Sequence, residues 1–527
     1  MTNIATILQT QAEVRPQAIA LIEARRDQHL SFAALEVASS RDAALLWRSG
    51  LRTGDAVLIF VPMSVQLYVA LMAVFRLGMV AMFVDPSAGR DSLESCCALY
   101  PPKALIATDK AHLLKVRSPA LRQIPIQFVI GLPIPGAIAW SHVKQSALLK
   151  DITPCKTDDP ALVTFTSGST GQPKAALRTH GFLLAQHQAL AHSLSLTPDT
   201  VDLTTLPIFG LANLASGVTS LLPDADLRFP GQINPARLFT QIQRYQPVST
   251  AASPALLERL ADYCQRQQLT LSSFQRLFSG GAPVFPRLLE RLQAIAPQAH
   301  VSAVYGSTEA EPIAHMAYHE VQPDDVAAMQ AGKGLLVGMP VSEVHLRILG
   351  NRWGTPLGHY TAAEFDSLCL STDKVGEIVV SGEHVLKSYL HGKGNEETKF
   401  QVDGRSWHRT GDAGYLDEKN RLWLMGRCSA RIRDGLGDLY PFAVETAASY
   451  VAGVCRTAMT TFKGKRVLAI ELAPSAGHAP LNRLKTTLVW AQIQEYKLYP
   501  KIPVDRRHNA KIDYPALHQL LQNTLSE

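Results

Sequence analysis

Cysteine is scarce: seven residues in 527, at positions 96, 97, 155, 264, 369, 428 and 455, with no CxxC pair. An odd count without paired spacing argues against a disulfide framework and against a structural zinc site. Low-complexity tracts and internal repeats are missing, and Gly and Pro are spread along the chain, so no long disordered linker is expected. The N-terminal MTNIATILQTQAEVRPQAIA has no basic region followed by an apolar core, so no secretory signal is expected. Neither zinc-knuckle spacing nor an aromatic–basic RNA motif occurs, and nucleic acid is not an expected partner. An unbroken apolar run of bilayer length is missing too. The most hydrophobic stretch, 56–84, is interrupted by Pro62, Arg76 and Gly78. It reads as a strand (57–61), a helix (64–77) stopped by Gly78, and a buried strand (79–84). A soluble cytoplasmic protein without an integral membrane segment is expected.

What is present is ordinary globular composition, 46% hydrophobic and 18% charged. A chain of 527 residues exceeds what one hydrophobic core supports, so two or more domains are expected. The formal net charge of +6 is mild for this length. Its densest local excess is Lys497, Lys501, Arg506, Arg507 and Lys511, a run that suits a solvated face or a polyphosphate-facing surface.

Apolar runs alternate with helical spacing through the first three hundred residues: AVLIFV (56–61), AMFV (81–84), ALIAT (104–108), ALVTFT (161–166), helical spacing at 181–194, STAAS (249–253), RLFSGG (276–281) and HVSAVYG (300–306). Strands separated by helices predict parallel α/β sheet. From about 335 to 425 the texture changes to short strands and turns, including GEIVVSG (376–382) and RLWLMG (421–426), which predicts a small β region. After Arg427 a mixed α/β segment of about a hundred residues has the length of a separate appendage.

The sharpest local feature is TFTSGSTGQPK at 164–174. Ser167, Ser169 and Thr170 interleave with Gly168 and Gly171, and Lys174 follows. Glycines let backbone N–H groups turn toward one point, hydroxyls add donors, and a lysine completes a cradle for phosphate oxygens. It is not a Walker A loop, because the spacing differs and Ala175 follows the lysine.

This loop resembles the signature of the adenylate-forming (AMP-binding, acyl-CoA synthetase-like) superfamily, and later segments match that family's motifs in order. SGGAP, with Gly280, Gly281 and Ala282, resembles the segment lining the adenine. YGSTE resembles the motif whose aromatic (Tyr305) stacks on adenine, whose threonine (Thr308) meets the α-phosphate and whose glutamate (Glu309) holds Mg²⁺. TGD places Asp412 at the ribose hydroxyls, and Arg427 matches the hinge arginine, a second ribose contact. NAKI places Lys511 between the substrate carboxylate and the α-phosphate. By the same resemblance Thr166, Ser167, Gly168, Ser169, Thr170, Gly171 and Lys174 hold ATP, and Thr308, Glu309 and Lys511 are the catalytic set. The chemistry explains these residue types. Two anions must meet at the α-phosphorus, and Coulomb repulsion opposes this unless cations lie between them.

The resemblance implies an α/β protein. A large N-terminal domain (1–427), of two doubly wound α/β subdomains plus a small β region, is capped by a small mobile α+β domain (428–527). The implied acyl wall is PIFGLANLASG (207–217) with AVYGSTEAEPIA (303–314), and Phe209, Leu211, Leu214 and Gly306 are the candidate acyl-binding residues. No aspartate for a substrate amino group is evident there, so an apolar carboxylic acid is the expected substrate, with ATP and Mg²⁺.

Departures from the pattern narrow the acceptor. Gly210 stands where many acyl-CoA synthetases carry a gating histidine, Cys428, Ser429 and Ala430 replace the usual acidic pair, and DGLGDLY (434–440) replaces the glycine-rich CoA-covering segment, although Glu445 matches. DPSAGRDSL (85–93), KAHLL (110–114), LLPDAD (221–226) and DRRHNAKI (505–512) resemble the β-lactone synthetases of bacterial olefin biosynthesis, adenylate-formers that use no CoA. The leading expectation is a fatty acid–CoA ligase-like reaction with CoA or another acyl acceptor. The alternative is closure of a 3-hydroxy fatty acid to a β-lactone through its acyl-AMP.

Overall fold

The computed structural model describes residues 2–85, 89–140, 147–167, 173–474, 476–477, 479–504 and 512–523. Two sheets build the large region. The first runs Ile138–Ala139, Ile126–Ile130, Ala104–Thr108, Ala56–Phe60, Val80–Phe83, Pro160–Ser167, Pro173–Thr179, parallel at every pairing except the last. The second runs parallel through Ile19–Glu23, Thr219–Leu222, Val201–Thr204, Ser249–Ala252, Arg276–Gly280 and His300–Ser307. It then turns antiparallel at Ala310–Ala317 and Leu335–Pro340. The expected small β region continues this sheet through Leu422–Arg427, Arg405–Leu416, Gly376–Ser381 and His345–Leu349.

Helix Val65–Arg76 explains the hydrophobic stretch at 56–84. Ser64 caps it, accepting from Leu67 N at 3.4 Å, and all but one of its residues are buried. A helix that is apolar all round belongs inside a protein or a bilayer, and here it is inside. Its side chains share one core with Leu21 and Leu222 of the second sheet and with Val57, Ile59 and Ala81 of the first. Among the described residues no helix is long and apolar enough to cross a membrane.

The last hundred residues make a small α+β unit. Strands Val454–Phe462, Lys465–Leu472 and Glu495–Leu498 carry helices Pro441–Ser449, Ala479–Thr487 and Tyr514–Asn523. Its two apolar clusters draw every residue from 432 onward, so the unit has cores of its own. It also packs on the large domain: Tyr440 and Ala443 share an apolar cluster with Ala413 and Cys428, Phe442 lies 6.2 Å from Phe285, ring to ring, and Trp490 packs where Gly332 leaves room.

Candidate functional site

Open α/β sheets present their ligand crevice at the carboxyl ends of the strands, and the candidate residues gather there. Thr166 and Ser167 end strand Pro160–Ser167, and Thr166 pairs in register with Lys174 of Pro173–Thr179. The signature segment therefore joins two strands of a hairpin, where the sequence suggested a strand followed by a helix; that helix, His180–Ser193, comes after the second strand. Gly168, Ser169, Thr170, Gly171 and Lys511 lie outside the described residues, as does the Ser167 side chain. Lys174 Nζ is 2.7 Å from Glu397 Oε2 and 5.9 Å from the centre of the Tyr389 ring. Gly394 admits it: a Cβ there would sit 2.9 Å from Nζ.

Strands His300–Ser307 and Ala310–Ala317 form a tight antiparallel pair, and Thr308 and Glu309 lie in the turn between them. Gly306 is at the crossing, where a Cβ would come within 3.0 Å of the Ala310 carbonyl. Buried Arg178 ties the turn to the first sheet. It donates to Thr164 Oγ1 at 2.8 Å and to the Thr308 carbonyl at 2.9 Å. Glu309 Oε1 accepts from the Tyr389 hydroxyl at 2.6 Å. Burial works against its charge, yet His408, the Tyr389 hydrogen bond and Lys399 together hold the carboxyl below its ordinary range.

Asp412 and Arg427 face each other across strands Arg405–Leu416 and Leu422–Arg427. The side chains approach to 3.2 Å, and the Tyr305 hydroxyl donates to the other Asp412 oxygen at 2.7 Å. Gly411, at φ +71°, has its Cα against the Trp353 ring. The neighbouring Asp412 carboxylate raises the Arg427 guanidinium further. Gly280 ends its strand against the Val304 carbonyl, while Gly281 (φ +80°) faces open space, with Ala282 following. Tyr305, Asp412 and Arg427 are thus brought into one contact network.

The acyl candidates divide. Phe209 lines a narrow cavity of about 20 Å³ together with Val304, Ser279, Gly280, Gly281 and Glu311. That volume holds about one water, so any acyl chain must open it. Leu211 lines a smaller neighbouring cavity with Ile208 and His187. Leu214 is fully buried in the core shared by the two sheets and lines neither. Gly306 packs on Glu311 rather than facing the cavity. At Gly210 a Cβ would stand 2.0 Å from the Tyr68 hydroxyl, which bonds the Pro207 carbonyl at 3.3 Å; no side chain fits.

Several residues escaped sequence reasoning. Tyr389, Lys399 and His408 build the wall behind Glu309. Lys399 Nζ is 3.1 Å from His408 Nδ1 and donates to the Leu386 carbonyl. Burial brings this amine down to about 7 and the His408 ring to about 3. Nothing in their local sequence marks them, because the sheet order alone sets them beside a glutamate about ninety positions away. Glu311 was within the quoted motif but passed over. The cavity therefore carries an acidic group.

The model of the family described as AMP-binding enzyme matches residues 8–390. The olefin β-lactone synthetase of Stenotrophomonas maltophilia is 32% identical, covering 97% of the chain and 96% of the relative. That of Xanthomonas campestris is 30% identical over the same shares. The long-chain-fatty-acid–CoA ligase FadD13 of Mycobacterium tuberculosis is 24% identical over 87% of the chain and 85% of its own length. Among solved structures, the anthranilate CoA ligase AuaEII in complex with anthranoyl-AMP superposes with a TM-score of 0.82 at 17% identity, covering 100% of the chain and 98% of that one. ATP-bound MatB from Rhodopseudomonas palustris gives 0.79 at 19%, covering 99% of both.

Proposed function

The chain belongs to the AMP-binding enzyme family, and from that premise we propose that it closes a 3-hydroxy fatty acid to its β-lactone through an acyl-AMP, without CoA. It is an adenylate-forming enzyme, and a small carboxylic acid and ATP are its substrates. The observation that carries the lactone reading is the full-length likeness to two olefin β-lactone synthetases, against lower identity and shorter coverage for the CoA ligases. This reverses the order of the two expectations drawn from sequence. Packing agrees: with Tyr68 filling the space beside Gly210, a gating histidine cannot be accommodated there.

In this reading the segment at 166–174 holds the ATP phosphates, with Lys174 leaving Glu397 for them. Tyr305 with Gly280, Gly281 and Ala282 holds the adenine, and Asp412 with Arg427 grips the ribose. Thr308 meets the α-phosphate, and Lys511 bridges it to the carboxylate. Phe209 and Leu211 guide the acyl chain. Glu309 suits Mg²⁺: its neighbours hold the carboxyl below its ordinary range, and Lys174, the signature lysine, pairs with Glu397 and not with it. A single carboxylate that shares the ion with phosphate oxygens is a usual magnesium arrangement. Bound there, the ion would offset phosphate charge as carboxylate and α-phosphorus converge. We assign residues 1–427 and 428–527 as the two domains, hinged at Arg427, with the second mobile. ATP as substrate makes the cytoplasm the proposed compartment.

Purified protein given ATP and a 3-hydroxy fatty acid should release pyrophosphate and form a product of the acid's mass less one water, with or without CoA. A product seen only with CoA, at the mass of the thioester, would overturn the lactone reading. Glu309→Gln keeps the size but loses the charge, and carboxylate-dependent pyrophosphate release should fall about 100-fold or more. Near-normal release in that variant would remove the magnesium assignment.

A further inference from the structure

Three of the four most exposed large apolar side chains among the described residues fall in one short segment: Leu113, Val116 and Leu132, at 70, 76 and 73%. Single exposed apolar residues are ordinary, but a cluster of them marks a contact surface. Local geometry puts these three on one face. Helix Asp109–His112 runs directly into a 3₁₀ turn, Leu113–Val116, whose first and last side chains stack one above the other. Asp109 stands one α-helical turn before Leu113. It accepts from the Leu132 N–H at 3.2 Å and so brings that loop to the same side. Pro133 and Pro135 in the loop are exposed as well, and neither carries an N–H that a dry surface would leave unsatisfied. KAHLL (110–114) falls in this segment, and none of its residues is assigned to the adenylation site.

The same segment is basic. Lys110, Arg117 and Arg122 are exposed and Lys115 is half-buried. Arg122 donates to the Lys115 and Val116 carbonyls at 2.8 and 3.2 Å, which holds its guanidinium beside the exposed valine. Two carboxylates touch the segment, and backbone or hydroxyl donors occupy both. Asp109 accepts from the Lys110 and Leu132 N–H groups, and Glu94 accepts from the Ser118 hydroxyl and the Ala120 N–H at 2.5 and 3.1 Å. We infer that this face docks on the surface of a bilayer containing anionic phospholipid, with its apolar tips in the headgroup–acyl boundary and its cations on the phosphates. Apolar residues accompanied by Lys and Arg have that complementarity. A second copy of the chain would instead bring the same cations against each other. Topology gives the docking a use. Helix Asp109–His112 and Leu132 follow the carboxyl ends of strands Ala104–Thr108 and Ile126–Ile130. Those strands run parallel, through Ala56–Phe60 and Val80–Phe83, to Pro160–Ser167, which leads into the signature segment. The patch and the nucleotide crevice therefore open on one edge of the sheet, three to four strands or about 14–19 Å apart. Docking turns that edge toward lipid, where the apolar acid proposed as substrate partitions. This last point rests on the substrate reading; the docking does not.

The test sediments the full chain with vesicles of two kinds, phosphatidylcholine alone and phosphatidylcholine mixed with phosphatidylglycerol. The protein should bind the anionic vesicles, bind the neutral ones about tenfold more weakly or less, and dissociate as salt is raised. Leu113→Ser, Val116→Ser and Leu132→Ser together should lower the binding constant about 100-fold or more. Lys110→Gln with Arg117→Gln should lower it about 25-fold on anionic vesicles, about fivefold for each charge. All five positions are exposed and none belongs to the adenylation site. Melting temperature and pyrophosphate release from a short, water-soluble acid should therefore stay at wild-type values. Absence of vesicle binding, or binding that the apolar triple variant leaves unchanged, would overturn the inference. Equal binding to both kinds of vesicle would overturn the role given to the cations. A wild type that self-associates, with the triple variant monomeric and neither bound to vesicles, would make this face an interface between copies and overturn membrane docking. Failure of the lactone reading, judged by product mass, leaves the vesicle result untouched.

Discussion

Lys511→Ala should abolish pyrophosphate release from free acid and ATP, yet leave the protein able to process synthetic acyl-AMP. The carboxylate and the triphosphate approach as like charges, and only a cation between them lowers the repulsion. Removing one preorganised electrostatic group of this kind costs about 3–4 kcal/mol, or two to three orders of magnitude in rate. That loss belongs to the first half-reaction alone if the small domain rotates afterwards and carries Lys511 out of the site. Hinge motion about a short connector is the expected mode for such a domain. The measurement follows product from the two starting points in the same variant. Equal loss on both routes would make Lys511 structural, or would mean that no rotation occurs. The anchoring of the adjoining chain makes a purely local collapse easy to detect. Ile512 bridges to Val504, and the Tyr514 hydroxyl donates to Glu445 at 2.8 Å, so the variant should keep the wild-type melting temperature.

Arg409→Leu should destabilise the protein by about 3–5 kcal/mol, the cost of stranding a buried charge. Arg409 and Glu377 are 0% and 1% exposed at the side chain and meet in a two-pronged pair at 2.9 and 2.7 Å. Arg409 also donates to the Thr355 carbonyl at 2.7 Å. Burial already holds the Glu377 carboxyl above its ordinary range in spite of Arg409, so losing the arginine pushes it higher still. A native carboxyl that is raised binds more protons than the unfolded one, and its contribution to stability declines as pH rises. The deficit of Arg409→Leu should therefore shrink as pH is lowered toward the ordinary carboxyl range. Denaturant unfolding at several pH values checks this. Removing both charges, in Arg409→Leu with Glu377→Leu, should cost less than Arg409→Leu alone. A pH-independent deficit would mean that packing, and not the stranded charge, is what is lost. Because Arg409 immediately precedes Thr410, Gly411 and Asp412, the single variant should also weaken nucleotide binding.

Periodicity made most of the framework legible. Each strand read from an apolar run, such as 104–108, 276–281 or 300–306, is a strand in the structure. The helix in 56–84 was visible from its breakers. Strand Pro173–Thr179 was not, because KAALRT is neither apolar nor alternating; its antiparallel pairing with Pro160–Ser167 makes it a strand. The continuity of the β region with the second sheet was equally hidden, since it depends on strand Leu335–Pro340 pairing with Leu422–Arg427 some ninety residues later.

For the site, the sequence determined the chemistry and the order of the parts. Hydroxyls, glycines, a lysine, an aspartate and a glutamate stand at spacings that need no fold to be recognised, because backbone turns and charge types are local properties. The tertiary structure decided which of these meet and what stands behind them. Tyr305 reaches Asp412 because strands distant in sequence are neighbours in one sheet. Leu214 faces the shared core and not the cavity lined by Phe209 because the helix Pro207–Ser216 turns that side inward. Tyr389, Lys399 and His408 gather behind Glu309, and Glu311 and Ser279 line one cavity with Phe209. These juxtapositions follow from strand order and burial, which are non-local. Burial also decides whether a carboxyl or amine keeps its usual charge, and no single-residue reading carries that information.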